Sequence, residues 1–351
     1  MNSWSRRLAL ISSMILVLTL SSCSGAGYSS TIGSQPVSLK IMVGGLDKQI
    51  YLPNMLAQQL GYFTQEGLNV TLLDEASGQS AEDEVLLDQV DAGSGSYNHT
   101  IELQASGQQQ TGGNQMECVV QLGIAPGEAE MVSTKETKLI RSAKDLKGKN
   151  LGVTELDSGT QALTTVLLHK VGIAPSQVHF IPLGAGDTFI AAMKQGVIDA
   201  GMTTEPTISR LISSGVGKVL VDLRNPQTTQ AALGGPYPFI CVFMRDDYVQ
   251  SHHAVVQKLV DVYVKTLKWI HTHNAEQIAA MMPADYYAGN KALYVTALKG
   301  QLGMFSPDGT MPSDGPASVL KVEDQFNTQV QGKHIDLSKT WDGSFVANAN
   351  K

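Results

Sequence analysis

Residues 68–97, LNVTLLDEASGQSAEDEVLLDQVDAGSGSY, and residues 179–205, HFIPLGAGDTFIAAMKQGVIDAGMTTE, run through the same order of patterns. Each begins with a short β-rich run, at 68–73 and 180–183. Each continues into a helical segment, opened by Ser80 with Asp83 three residues on in the first copy and by Asp187 in the second. Each then turns at Val90-Asp91-Ala92-Gly93 or Ile198-Asp199-Ala200-Gly201 into a hydroxyl-rich end, Ser94-Gly95-Ser96 or Thr203-Thr204-Glu205. The two Asp-Ala-Gly turns lie 108 residues apart. A four-residue coincidence is the bland explanation, but the matching order of elements favours two similarly built α/β lobes. In open α/β sheets ligands bind outside the carboxyl ends of the strands, which makes the two hydroxyl-rich ends candidates for opposite walls of a cleft.

The flanking sequence fits the same fold class. Residues 37–43 are β-rich, 51–60 have helical spacing, and 150–154 form a strand-like run ahead of a helical segment with Leu163, Val166, Leu167 and Val171. Val256, Leu259, Val260, Tyr263, Val264, Leu267 and Ile270, three and four apart, predict a long helix with one buried face. Strand and helix alternate throughout, so an α/β fold with mostly parallel sheets is expected. With 351 residues, 42% of them hydrophobic, the chain can fill two cores rather than one, and a disordered chain is excluded. Charged residues make up only 16%, and 25 Lys+Arg against 32 Asp+Glu give a net charge of −7, so nothing favours nucleic acid as a partner.

The N-terminus reads as an export signal. Arg6 and Arg7 are the only charges in residues 1–22, and the apolar run 8–20 is too short to span a bilayer. It ends in Leu20-Ser21-Ser22-Cys23, which resembles the lipobox of bacterial lipoproteins, with Cys23 as the residue that is acylated and becomes the new N-terminus. An ordinary cleaved signal with a chance cysteine is the alternative. Residues 23–37, rich in Ser and Gly, would follow as a flexible tether. Loss of the signal takes the net charge to −9, so a membrane connection would rest on the lipid and not on basic residues. Cys118 and Cys241 sit in apolar strand-like runs and read as buried free thiols, a disulfide being the alternative open to an exported protein.

Binding residues are easier to nominate than catalytic ones. Ser158-Gly159-Thr160, after Asp157 and at a helix start, offers free N–H groups, hydroxyls and the positive end of the helix dipole, which suits an anionic group; a plain N-cap is the commoner role of such residues. Ser94, Gly95, Ser96 and Thr203 supply the facing hydroxyl-rich ends. Asp47, after the Gly44-Gly45 turn, and Glu205, before Pro206, could receive an ammonium, a ring N–H or a hydroxyl, or could be solvated turn residues. Gln49 and Tyr51 lie beside Asp47, while Tyr97 and Tyr237 could wall the ligand or pack in the core. No G-x-S-x-G elbow or P-loop occurs, and Phe189 stands where Gly184-Ala185-Gly186 would need a third glycine for a dinucleotide. The eight histidines are scattered, and His252-His253 and His271-Thr272-His273 mark the ends of the long helix, so neither a metal nor a cofactor is expected.

Several stretches resemble a known family. Ile50-Tyr51-Leu52-Pro53 to Ala57 and Leu60-Gly61-Tyr62-Phe63-Thr64-Gln65-Glu66-Gly67-Leu68-Asn69-Val70 are similar to a signature of the substrate-binding proteins for taurine, aliphatic sulfonates, nitrate and thiamine-pyrimidine precursors. Residues 145–153 (DLKGKNLGV), 195–201 with Glu205-Pro206, and 239–249 resemble further motifs of that family, over roughly residues 38–280. The segment 108–114 has no counterpart, and Thr204 replaces a frequent tryptophan. The resemblance implies a type II periplasmic-binding-protein fold whose two lobes are joined by a hinge, with lobe 1 from 38–126 and 240–351 and lobe 2 from 127–239. It implies a monomeric solute-binding lipoprotein, not an enzyme, that carries a small organic anion or zwitterion to an ABC permease. Ser158, Gly159 and Thr160 would meet the anionic end, Ser94 to Ser96 would close over it, and Glu205 would lie at the cleft. A lipoprotein sensor for a receptor kinase and, more remotely, a pyrimidine-precursor synthase-like enzyme are the alternatives.

Overall fold

The computed structural model describes residues 35–107 and 115–351; the export signal, Cys23 and most of the tether lie outside the described residues, as does the segment 108–114. Ten strands form two five-stranded sheets. The first holds β1 (Val37–Val43), β2 (Leu68–Asp74), β3 (Ala92–Ser96), β4 (Met116–Gln121) and β10 (Ile240–Arg245) in the order β2-β1-β3-β10-β4. The second holds β5 (Glu128–Ser133), β6 (Asn150–Val153), β7 (His179–Pro182), β8 (Ala200–Thr204) and β9 (Gly217–Leu223) in the order β7-β6-β8-β5-β9. The two orders are the same arrangement. In each, three strands run parallel (β2, β1, β3 and β7, β6, β8) and the next strand, β10 or β5, pairs antiparallel with both its neighbours. The sheets are therefore mixed rather than mostly parallel, because β5 and β10 are the strands that enter each lobe from the other one.

The repeated Asp-Ala-Gly turns have identical roles. The Asp91 carboxylate accepts the Lys40 N–H on β1 at 2.7 Å, and its own N–H donates to the Lys40 carbonyl at 3.0 Å. In the second lobe Asp199 does the same with Asn150 on β6, at 2.9 Å in both directions. The glycine two residues on has no room for a side chain: a Cβ on Gly93 would lie 2.2 Å from the Phe243 ring, and one on Gly201 would lie 2.4 Å from the Gly152 carbonyl. Each turn thus fixes the register of the central strand that carries its hydroxyls to the cleft.

The long helix spans His253–Thr272 and buries Val256, Leu259, Val260, Tyr263, Val264, Leu267 and Ile270 against the first lobe, the face its spacing implies. One apolar cluster extends from the first lobe into the second, taking in Leu163, Val166 and Leu167 of the helix Gly159–His169 together with Met202 and Leu223; two smaller clusters lie entirely within the second lobe. The helix Gly78–Leu86 is capped by Ser77, whose hydroxyl accepts the Ser80 N–H, so the cap sits three residues earlier than the sequence suggested. Cys118 on β4 and Cys241 on β10 form a disulfide with Cα atoms 6.0 Å apart, which replaces the expected free thiols. The two strands are sheet neighbours, and that adjacency was not readable from their separation of 123 residues.

Candidate functional site

Between the carboxyl ends of the two sheets lies a cavity of about 20 Å³, walled by Lys48, Ile50, Tyr51, Ser77, Gly78, Ser96, His99 and Phe239 on one side and by Glu128, Thr154, Ser158, Gly159, Thr160 and Thr204 on the other. Room for about one water means that a larger molecule enters only when the lobes part. The lobes are held across this seam by polar contacts. The Ser77 hydroxyl donates to the Glu155 carboxylate, the Ser80 hydroxyl donates to the same oxygen at 2.6 Å, and the Gln49 N–H donates to the Glu205 carbonyl at 3.0 Å. Gly159 makes the approach possible: a Cβ there would fall 2.5 Å from the Phe239 ring and 3.1 Å from the Ser96 hydroxyl.

The helix start that precedes Gly159–His169 is a compact hydroxyl network. Ser158 donates to the Glu155 carbonyl at 2.6 Å and lies 2.7 Å from the Thr160 hydroxyl, which in turn accepts the Thr154 N–H at 3.0 Å and lies 2.9 Å from the Thr154 hydroxyl. Opposite it stands Lys48, buried, with its ammonium giving hydrogen bonds of 2.6 Å to the carbonyls of both Gly44 and Ala76. Burial lowers the Lys48 pKa against the pull of Asp47, Glu128, Asp74 and Glu155. Burial also pushes Glu128 up to about 8, with Lys48 opposing and Glu130 adding to the rise.

Three fully enclosed polar atoms on the cavity wall have no partner in the protein: Glu128 Oε2, Thr204 Oγ1 and His99 Nε2. The other nitrogen of His99 faces Glu82 at 3.4 Å and Glu102 at 3.3 Å. Burial disfavours the imidazolium, but the Glu102 and Glu82 carboxyls outweigh it and the His99 pKa is raised. Burial pushes Glu82 to about 8 despite the nearby His99. From Glu102 a chain of hydrogen bonds continues through Asn327 Nδ2 to Glu323, which accepts the Tyr237 hydroxyl at 2.6 Å. Glu82, Glu102 and Glu323 line a groove of about 590 Å³ that shares Ser158 with the cavity wall.

The structure brings Tyr51, Ser96, Ser158, Gly159 and Thr160 together in the cavity wall. Ser94 sits one pleat away, where its hydroxyl accepts from Asn54 at 3.2 Å, and Gly95 packs on Phe243 and Gly78. Strand alternation puts Thr204 rather than Thr203 in the wall. Gln49 faces away, bonded to the Tyr294 carbonyl and to Gln301, and Tyr97 reaches Thr340 at 2.5 Å. Tyr237 is taken up by Glu323. Asp47 is exposed, and Glu205 is buried beyond the wall, where it accepts from Arg224 at 2.8 Å and from the Ser209 N–H and hydroxyl. Lys48, His99, Glu128 and Thr154 are wall residues that sequence reasoning did not nominate. Among the described residues no group of three His, Cys, Asp or Glu side chains is placed to hold a metal ion, and no helix is long and apolar enough to cross a membrane.

Two lobes of one topology, crossed twice by the chain and closing on a polar cavity, define a protein of the periplasmic-binding-protein fold. The family model described as NMT1/THI5 like matches residues 50–277, and the chain belongs to that family. A solved structure of a protein from Bordetella bronchiseptica RB50 is 33% identical, with a TM-score of 0.85 over 90% of this chain and 98% of that one. The fold is shared with the alkanesulfonate-binding protein SsuA from Xanthomonas axonopodis pv. citri bound to MOPS (17% identity, TM-score 0.65, 90% of this chain and 98% of that one). It is shared also with the periplasmic nitrate-binding protein NrtA from Synechocystis PCC 6803 (13% identity, TM-score 0.70, 89% and 88%). No curated protein sequence matches the chain.

Proposed function

We propose that the protein is the solute-binding component of an ABC importer, exported, anchored through a lipid on Cys23, and closing its lobes on a small organic solute that it hands to the permease. The observation that carries the reading is the cavity itself: buried polar atoms from both lobes, Glu128 Oε2 and Thr204 Oγ1 on one and His99 Nε2 on the other, meet without protein partners. Such atoms are costly to leave unpaired, and a ligand that engages them stabilises the closed form. The Leu20-Ser21-Ser22-Cys23 sequence supports lipid anchoring, and the Cys118–Cys241 disulfide suits an oxidising compartment. The synthase-like alternative requires a cleft lysine free to form a Schiff base. Lys48, the lysine at the cavity, spends two of its hydrogens on backbone carbonyls, which favours the receptor.

Thermal denaturation of the mature chain against a solute library tests the reading. A true ligand at about 100 times its Kd should add about 2.7 kcal/mol of stability. A library in which no small molecule raises the midpoint would remove the receptor reading. Co-purification with a permease rather than a kinase separates transport from sensing.

A further inference from the structure

We propose that the cleft selects an organic cation, a protonated amine or amidine whose N–H groups are received by the Glu128 carboxylate and the Thr204 hydroxyl, and that it rejects free anions such as sulfonates. The inference rests on the receptor reading above and specifies its ligand.

Most of the side-chain donors that could hold an anion are already engaged. The hydroxyls of Thr154, Ser158 and Thr160 bond to one another and to backbone groups of the same turn. The Lys48 ammonium is fixed on the carbonyls of Gly44 and Ala76, and no arginine lines the cavity. Of the enclosed wall atoms without a partner, Glu128 Oε2, 3% exposed with its residue, accepts when ionised, Thr204 Oγ1 accepts or donates, and His99 Nε2 donates in the imidazolium that Glu102 and Glu82 favour and accepts in the neutral ring. Once ionised by the arrival of a cation, the Glu128 carboxylate only accepts, and the cation completes it with charge-assisted N–H bonds.

The approach carries the same sign. The groove that shares Ser158 with the cavity wall is lined by Glu82, Asp83, Glu102, Glu155, Asp157 and Glu323, with no lysine or arginine and with His169 as its one basic side chain. Burial holds up the Glu82 and Glu323 carboxyls, but the acidic excess of the lining still disfavours an anion moving along it and favours a cation. A volume of about 590 Å³ lies in the range of small-molecule sites, so the body of an elongated ligand fits there while its charged head enters the cavity. The proton balance closes as well. The carboxyl of Glu128 is held protonated by burial near neutral pH, faced by Lys48, Tyr51, Tyr237 and Glu130. On binding, that proton leaves to solvent and the ligand's charge replaces it.

The test is a thermal-shift screen of the mature chain against equal numbers of organic cations, including benzamidine, agmatine and 1,4-diaminobutane, and organic anions, including benzenesulfonate and propanesulfonate. Calorimetry of any hit follows on wild type, Glu128→Gln and Thr204→Val. Cationic hits are expected, weakened at least about 30-fold by the isosteric Glu128→Gln and about fivefold or more by Thr204→Val. Anionic or neutral hits, or cationic hits indifferent to both substitutions, would overturn the inference and leave the receptor reading intact. No hit of either sign would overturn both.

Discussion

Lys48 joins two parts of the first lobe at one atom and looks across to the second: its ammonium ties the Gly44 turn to the Ala76 loop and faces the buried Glu128 of the second lobe. Replacing it by methionine keeps the length of the stem but leaves two enclosed carbonyls without donors. Lys48→Met should therefore lower the stability of the unliganded protein by about 2–4 kcal/mol, read from urea denaturation; a change below 1 kcal/mol would mean that water takes over both carbonyls. Why such residues escaped sequence reasoning is a matter of local signal. Ser158 and Thr160 announce themselves by standing at a helix start, and both reach the cavity wall. Lys48 looks like an ordinary turn lysine, and His99 like one of eight scattered histidines. Glu128 and Glu130 did carry a signal that went unused: they alternate on β5, a strand with every residue buried, where charged side chains demand a reason. Thr203 and Thr204 differ only in which pleat faces the cleft, and that depends on a register the sequence does not display.

At the level of elements, the helix Gly159–His169 is the piece on which closure turns. Its first residue touches Phe239 and Ser96, its side chains Leu163, Val166 and Leu167 join the apolar cluster that extends into the first lobe, and the preceding Glu155 takes hydroxyls from Ser77 and Ser80. Gly159→Ala should act as a wedge. Alanine suits a helix at least as well as glycine, so the second lobe keeps its own stability, but a methyl 2.5 Å from the Phe239 ring cannot coexist with the closed seam. Ligand affinity should fall more than about tenfold while the radius of gyration of the ligand-bound protein grows, measured by calorimetry and small-angle scattering. An unchanged affinity would show that Phe239 moves aside at little cost. The elements themselves were largely legible, because the strand runs, the long amphipathic helix and the paired Asp-Ala-Gly turns all rest on local periodicity and turn chemistry. The antiparallel sense of β5 and β10 was not, since it follows from where the chain crosses between lobes.

Across the whole molecule two global quantities follow from the same arrangement. Burial raises Glu82, Glu128 and Glu130 to about 8 and Glu117 and Glu323 to about 7, against 4.5 for a free glutamate. Between pH 4.5 and 8 the folded chain therefore holds more protons than the unfolded one, so stability falls as pH rises through that window. Unliganded protein should need less urea to unfold at pH 8.5 than at pH 5.5; the opposite slope would mean that these carboxyls ionise freely. The disulfide acts at the same scale, through connectivity. Cys118 lies on the last strand of the first sheet before the chain leaves for the second lobe, and Cys241 lies on the strand by which it returns. The bridge thus ties off a loop that contains the whole second sheet, and both crossings are held at its base. On the chain-entropy account a loop of this length is worth roughly 4–5 kcal/mol, drawn from the unfolded state. Because both sulfurs are enclosed between neighbouring strands, the Cys118→Ala, Cys241→Ala pair should keep the fold and the ligand affinity while losing about 2–5 kcal/mol in denaturation. A double variant that loses affinity in proportion to stability would instead tie the bridge to the geometry of the cleft, where β10 delivers Phe239 to the seam.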